Sequence, residues 1–317
     1  MHPAKSVIFF TTASGAGYGL MIWLALLANF AALPADFLFG IAALGVGFAL
    51  IVSGLLSSTL HLGHPERAWR ALSQWRSSWL SREGVAAIVT FIPLGIFALS
   101  WVFAGHNSGM IGMIGLIGAA MCVVTVYTTS MIYGSLKAIP AWHNRWTVAS
   151  YLTLSLMSGA LLLLLLGALL GMPMLVSHMI NPALLLLGLG LAVKLFYWWR
   201  ISHSSPVSTA ESATGLGKFG KVSFAGSPHD QDNYLLKEMG FKIARKHSRK
   251  LRILAGALGF VMPFVMIGAA SWTAGMLVSL LIVVATLCAA IGLVFERWLF
   301  FAEAKHVVTL YYGETEV

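Results

Sequence analysis

Charge is scarce in this chain. Of its 317 residues, only 10% are Asp, Glu, Lys or Arg, while 58% are hydrophobic, and the mean hydropathy is +0.84. A soluble domain carries about a quarter charged residues, so an ordinary water-soluble globule is excluded. Cysteine is scarcer: Cys122 and Cys288 are the only two, each within a different apolar run. An iron–sulfur centre takes about four thiolates, so this sequence cannot hold one. The two cysteines read as small packing hydrophobes. No flavin or nicotinamide fingerprint follows a strand pattern, and no internal repeat is visible. No histidine falls near the centre of an apolar run. Acids and bases at mid-span are equally missing, with Lys194 placed close enough to a helix end to snorkel. The N-terminal stretch lacks a clear cleavage site, and its apolar run exceeds the core of an export signal. It reads as a retained first helix.

What the sequence does have is hydrophobic length. Eight apolar runs stand out, at 6–30, 37–60, 84–104, 110–134, 147–170, 181–199, 253–272 and 276–300. Runs of at least ~18 apolar residues mark bilayer-spanning helices. The expected fold is an all-α integral membrane protein: residues 1–317 as one membrane domain of eight transmembrane helices. Gly and Ser recur inside the runs, where small side chains let helices approach closely.

The cations sort to one side. Placed on this layout, all 20 Lys and Arg residues of the net +9 chain fall at one membrane face. The opposite connections, near 31–36, 105–108, 171–178 and 273–275, carry none. Basic residues are enriched in cytoplasmic loops, so both termini are expected in the cytoplasm. The long connection 201–252 belongs to the same side. Its first part is rich in Ser and Gly and should be irregular. Its second part spaces Leu236, Met239 and Ile243 at helical intervals among cations, as in a basic amphipathic helix. It reads equally as a lipid-binding charge run or as a docking ledge for a soluble partner. On the second reading the docking set is Arg70, Arg76, Lys242, Arg245, Lys246 and Arg249.

Between the second and third runs lies "HLGHPERAWRALSQWRSSWLSREG", residues 61–84, a polar island with two histidines, four arginines and three tryptophans. A quinone headgroup needs hydrogen-bond partners at its carbonyls and a group that exchanges a proton. A histidine near neutrality and a buried carboxylate supply both, and His61 and Glu83 return to the same face. Structural explanations compete. His61 suits the negative end of one helix and Glu83 the positive start of the next, with Ser81 as the N-cap. The arginines would then set topology, and Trp69, Trp75 and Trp79 would form an aromatic belt.

The same segment resembles the signature connection of the membrane-anchor subunits of dimethyl sulfoxide reductase-type molybdoenzymes. The matching residues are His61-Leu62-Gly63, Pro65, Arg67-Ala68 and Leu80-Ser81-Arg82-Glu83, and the eight-helix layout matches over the whole chain. The resemblance implies a partner iron–sulfur subunit, a partner molybdopterin subunit and exchange of electrons with membrane quinone, ubiquinone or menaquinone. It implicates His61 and Glu83 in quinone binding; beside what it implies, His64 is a second candidate, Arg67 or Arg82 suits the carboxylate's charge, and Trp79 suits the headgroup zone. The long basic insertion resembles the branch associated with quinone-reducing sulfite dehydrogenases. Joined to an inward-facing signature, this implies cytoplasmic oxidation of sulfite to sulfate at a bacterial inner membrane. The exported dimethyl sulfoxide reductases, which oxidise quinol, are the alternative branch. Two other classes compete. A b-type cytochrome would need axial histidines, for instance His61 with His143 or His106 with His178. A transporter would need mid-span ionisable groups.

Overall fold

The computed structural model describes residues 4–30, 33–59, 64–223, 225–226 and 245–317. Its elements are α1 (Lys5–Phe30), α2 (Phe37–Thr59), a 3-10 segment (Pro65–Gln74), α3 (Trp79–Ala104), α4 (Gly109–Gly134), α5 (Arg145–Leu169), α6 (Pro173–His203), the short α7 (Ala210–Thr214), α8 (Ser248–Ala270) and α9 (Met276–Ala302). Short 3-10 turns follow at Leu216–Phe219 and Val307–Tyr312. Eight of these helices are long and apolar enough to cross a membrane. Among the described residues there is no strand, only an isolated antiparallel bridge between Thr209 and Glu316. His61, Lys242 and the residues predicted to form the amphipathic helix (Leu236, Met239, Ile243) lie outside the described residues.

Several boundaries move from those expected. The third helix begins at Trp79, five residues before the expected start. Its cap is Ser78, whose hydroxyl accepts from the Ser81 amide at 3.5 Å. Ser81, expected as the cap, is buried within the first turn. Only a residue with extended backbone, as Ser78 has, aims its side chain back at the free amides. The sixth helix starts at Pro173, taking in residues 173–178 that were expected as a connection. Proline fits a first helical turn because the amide it lacks has no partner there. α6 also runs through Pro182, which bilayer helices tolerate. α8 widens into a π turn over Ala257–Val261, just ahead of Pro263, whose missing amide weakens the helical ladder there.

α1 is the hub, packing on α2, α4, α5 and α9. Glycine decides how closely α1 meets α5. A Cβ on Gly19 would fall within the Ser155 carbonyl, and one on Gly159 within the backbone of Gly19 and Leu20. Two bonds reinforce the seam: Trp23 Nε1 donates to Leu156 O at 3.0 Å and Ser155 Oγ to Gly15 O at 2.6 Å. We expect Gly19→Val to destabilise the detergent-solubilised protein by about 1–3 kcal/mol through overpacking. Gly45→Ala, where nothing lies within 4 Å, should leave the thermal midpoint unchanged. Equal midpoints for both variants would remove the seam as a determinant of the fold.

The two ends of the bundle are distinct. At one end Val307 N donates to Ala138 O (3.0 Å), Arg245 to Ala304 O (3.0 Å) and Val207 N to Val317 O (2.8 Å). These bonds gather the connections after α4 and α6 with the C-terminal segment. At the other end Asn107 donates to Leu33 O and Trp101 to Asp36 O.

Candidate functional site

Residues 64–80 of the polar island lie at the surface of the first end. Pro65 opens the 3-10 segment. His64 Nδ1 lies 3.1 Å from Glu66 Oε1 and Arg67 Nε 3.7 Å from the same oxygen. All three side chains are exposed, so these pairs add little stability. Arg70 stacks on Trp69 and Arg76 on Trp75, each at 5.5 Å, and both tryptophans stand exposed. Arg82 ties the island to α3. It donates to Trp75 O at 2.9 Å and Arg76 O at 2.7 Å while its guanidinium covers the Trp79 ring at 4.3 Å. Of the predicted site residues, the structure therefore joins Arg82 to Trp79 and Arg67 to His64 through Glu66.

Glu83 is apart from them, turned into the bundle. It is 5% exposed, and its Oε1 has no hydrogen-bond partner. Its carboxyl lies against Thr129 of α4. The Thr129 hydroxyl already donates to Thr125 O at 2.9 Å, so it offers Glu83 an acceptor. Tyr18 of α1 is close enough to feel the Glu83 charge, and its buried hydroxyl also lacks a partner. Beyond Tyr18 and Thr129 opens a small cavity of about 30 Å³ among α1, α4, α5 and α9, reaching Tyr151, Glu296 and Arg297. That is space for about two waters and too little for an aromatic ring. A larger cavity, about 260 Å³, lies at the opposite end, bounded by Leu27, Leu33, Met172–Leu175 and His178.

The cavity borders a charge cluster that the sequence reading missed. Glu296 of α9 takes Arg297 as a bidentate partner, at 2.6 and 2.8 Å. It takes Lys194 of α6 at 2.5 Å. All three are at most 3% exposed. Arg297 also lies over the Tyr151 ring at 4.4 Å and Lys194 over that of Tyr197 at 3.9 Å. Glu296 lies six residues from the end of α9, away from mid-span, and the expected snorkelling of Lys194 is corrected. Nine residues separate Lys194 from the end of α6, about 14 Å of helix, and an acid waits beside it instead. Arg297 sits five residues inside α9. The signal was there in Glu296-Arg297, an acid and a base side by side in an apolar run. Such a placement is costly unless the charges are paired and used.

Among the residues expected to dock a partner, Arg245 is partly buried and held by Ala304 O, while Arg70, Arg76, Lys246 and Arg249 are exposed. The expected haem ligands His106 and His178 each have Nδ1 on a nearby carbonyl of their own helix end, at 2.5 and 2.6 Å. No group of His, Cys, Asp and Glu suited to a metal occurs among the described residues.

Eight candidate spans, with an arginine-rich connection over a buried acid, define a multi-pass membrane protein. The chain belongs to the DMSO reductase anchor subunit (DmsC) family, whose pattern matches residues 1–302. It is 34% identical to the C subunit of the sulfite dehydrogenase of Allochromatium vinosum, over 98% of this chain and 99% of that one. It is 29% identical to the YnfH component of an anaerobic dimethyl sulfoxide reductase of Escherichia coli, over 34% of this chain and 38% of the relative. The C component of the E. coli anaerobic dimethyl sulfoxide reductase is 28% identical over 39% and 43% respectively. No solved structure matches the chain. As an anchor subunit it works within a multi-subunit molybdoenzyme complex, so its catalytic centres sit in partner subunits.

Proposed function

We propose that this chain passes electrons from a partner iron–sulfur subunit to membrane quinone in a complex that oxidises sulfite to sulfate on a molybdopterin subunit. The observation that carries the reading is Glu83: a carboxyl buried one turn inside α3, beneath the signature segment, with one oxygen unpartnered. When bound, quinone accepts two electrons and two protons and leaves as quinol. The residues suit that chemistry, since a carboxyl can exchange a proton and His61, which opens the signature, can hydrogen-bond a carbonyl. The cleft beside Tyr18 has room for water and none for the ring. The headgroup therefore belongs on the outer side of Glu83, against the island of His64, Arg67, Trp79 and Arg82. Residues 1–317 act as one membrane domain, with the segments 61–83 and 201–252 forming its cytoplasmic surface. Arg70, Arg76, Lys242, Arg245, Lys246 and Arg249 present positive charge there to the partner.

The extended match to the C subunit of a sulfite dehydrogenase supports the choice of sulfite, and the one-sided basic residues support cytoplasmic termini in a bacterial inner membrane. Orientation separates this reading from an exported dimethyl sulfoxide reductase that oxidises quinol. In intact cells a membrane-impermeant maleimide should label Ala274→Cys and spare Lys218→Cys, and a tag placed after Val317 should be reached only once the cells are opened. Labelling of Lys218→Cys from outside would overturn both the orientation and the assignment of sulfite.

A further inference from the structure

The quinone chemistry leaves the charge cluster and the cavity unused, and a membrane protein keeps buried ions at a cost. Their positions form a series. At the first end Glu303 follows directly on α9. Its Oε1 accepts from Arg252 Nε at 2.8 Å, Arg252 in turn holds Ser202 Oγ at 2.8 Å, and Oε2 has no partner. Burial raises the Glu303 carboxyl above the ordinary carboxylate range, against the pull of Arg252. Seven residues, two helical turns, separate Glu303 from Glu296 on nearly the same face of α9. Lys194 is paired with Glu296 and near enough to Glu303 to feel its charge. Glu296 then borders the cavity.

The cavity wall is chemically biased. The Ser14 hydroxyl donates to Phe10 O, that of Thr129 to Thr125 O and that of Ser158 to Leu154 O. Each has committed its proton to a helix carbonyl and turns only lone pairs to the space. The Tyr18 and Tyr151 hydroxyls are the exceptions. Both are buried, both border the cavity and neither has a partner. Such groups call for water, and the space suits about two molecules. Tyr18 brings the series to Glu83. The remaining titratable groups packed here are the buried Cys122 of α4, close enough to Tyr18 to act on it, with Tyr133 of α4 and Tyr197 of α6 in the surrounding aromatic layer.

We propose that these groups form a proton path that enters at Glu303, passes Lys194 and Glu296, crosses the cavity water between Tyr151 and Tyr18, and ends at Glu83. The proposal rests on the reading of Glu83 as the group that gives a proton at the quinone site. For each quinone reduced to quinol, two electrons come from the iron–sulfur partner and two protons from the aqueous phase. A proton that Glu83 gives up is replaced from solvent at Glu303, so the buried charges are restored after each turnover.

The test uses the whole assembled complex and variants that remove a proton-carrying group with little change of shape, Tyr151→Phe and Glu303→Gln. We expect infrared spectra of the oxidised complex at acid pH, without added quinone, to contain a protonated-carboxyl band that Glu83→Gln removes. Transfer into D2O shifts this band, and the rate of the shift reads proton access to Glu83. We expect the rate to fall about tenfold or more in each variant, with the partner's artificial-dye activity retained as a check of assembly. We expect quinone-coupled turnover to fall with it and to recover when small permeant weak acids are added, which a packing defect would not allow. Unchanged exchange in both variants would overturn the path. Slowed exchange with natural quinone turnover would uphold the path and instead overturn the role of Glu83 at the quinone site.

Discussion

Glu83→Gln should lower quinone-coupled turnover by about a hundredfold or more while the partner's activity with an artificial dye persists. The amide matches the carboxyl in shape and can still hydrogen-bond, but it cannot give up and regain a proton near neutral pH. Positioned proton transfer contributes about 10²–10⁴-fold in rate, and that contribution is what the substitution removes. Dye reduction draws electrons before they reach this chain, so dye activity retained on washed membranes shows that the partner is intact and still anchored. Quinone-coupled turnover at the natural rate in the variant would take Glu83 out of the site. Steady-state assays on membranes carrying the assembled complex decide between the two.

The second large effect is on stability. Glu296→Leu leaves two buried cations, Lys194 and Arg297, with no acid between them. Breaking a buried ion pair from one side costs about 3–5 kcal/mol, because the remaining charge is neither solvated nor compensated. We expect the variant to accumulate poorly in the membrane and to lose its thermal midpoint in detergent. Lys194→Met should be milder, because the bidentate Glu296–Arg297 pair survives it. Equal stability of Glu296→Leu and the natural protein would contradict the ion cluster. Glu296→Leu and Lys194→Met thus test the cluster's energetics apart from any role in proton movement.

Much was legible without coordinates, and the reasons are physical. A bilayer core offers backbone groups no partners, so a crossing segment must be helical and apolar throughout its length. Eight such segments could be counted directly. The His-Leu-Gly to Leu-Ser-Arg-Glu pattern identified the anchor family, because a local segment of fixed order carries it. Helix boundaries were less legible. Ser78 and Ser81 both qualify as caps by residue type, and only backbone conformation distinguishes them. Pro173 and Pro182 broke the apolar pattern without breaking α6.

Sequence by itself determined the class of fold, the family and the one-sidedness of the basic residues, because each follows from composition within contiguous stretches. Tertiary structure decided what the rare interior charges do. Lys194 and Glu296 are about a hundred residues apart in the chain and meet only because α6 and α9 end in the same layer of the bundle. The same packing turned Glu83 inward toward Tyr18 and Thr129, three helices brought to one point. Whether a charge in an apolar run snorkels or pairs depends on what faces it across the bundle, and that neighbour is absent from the run itself.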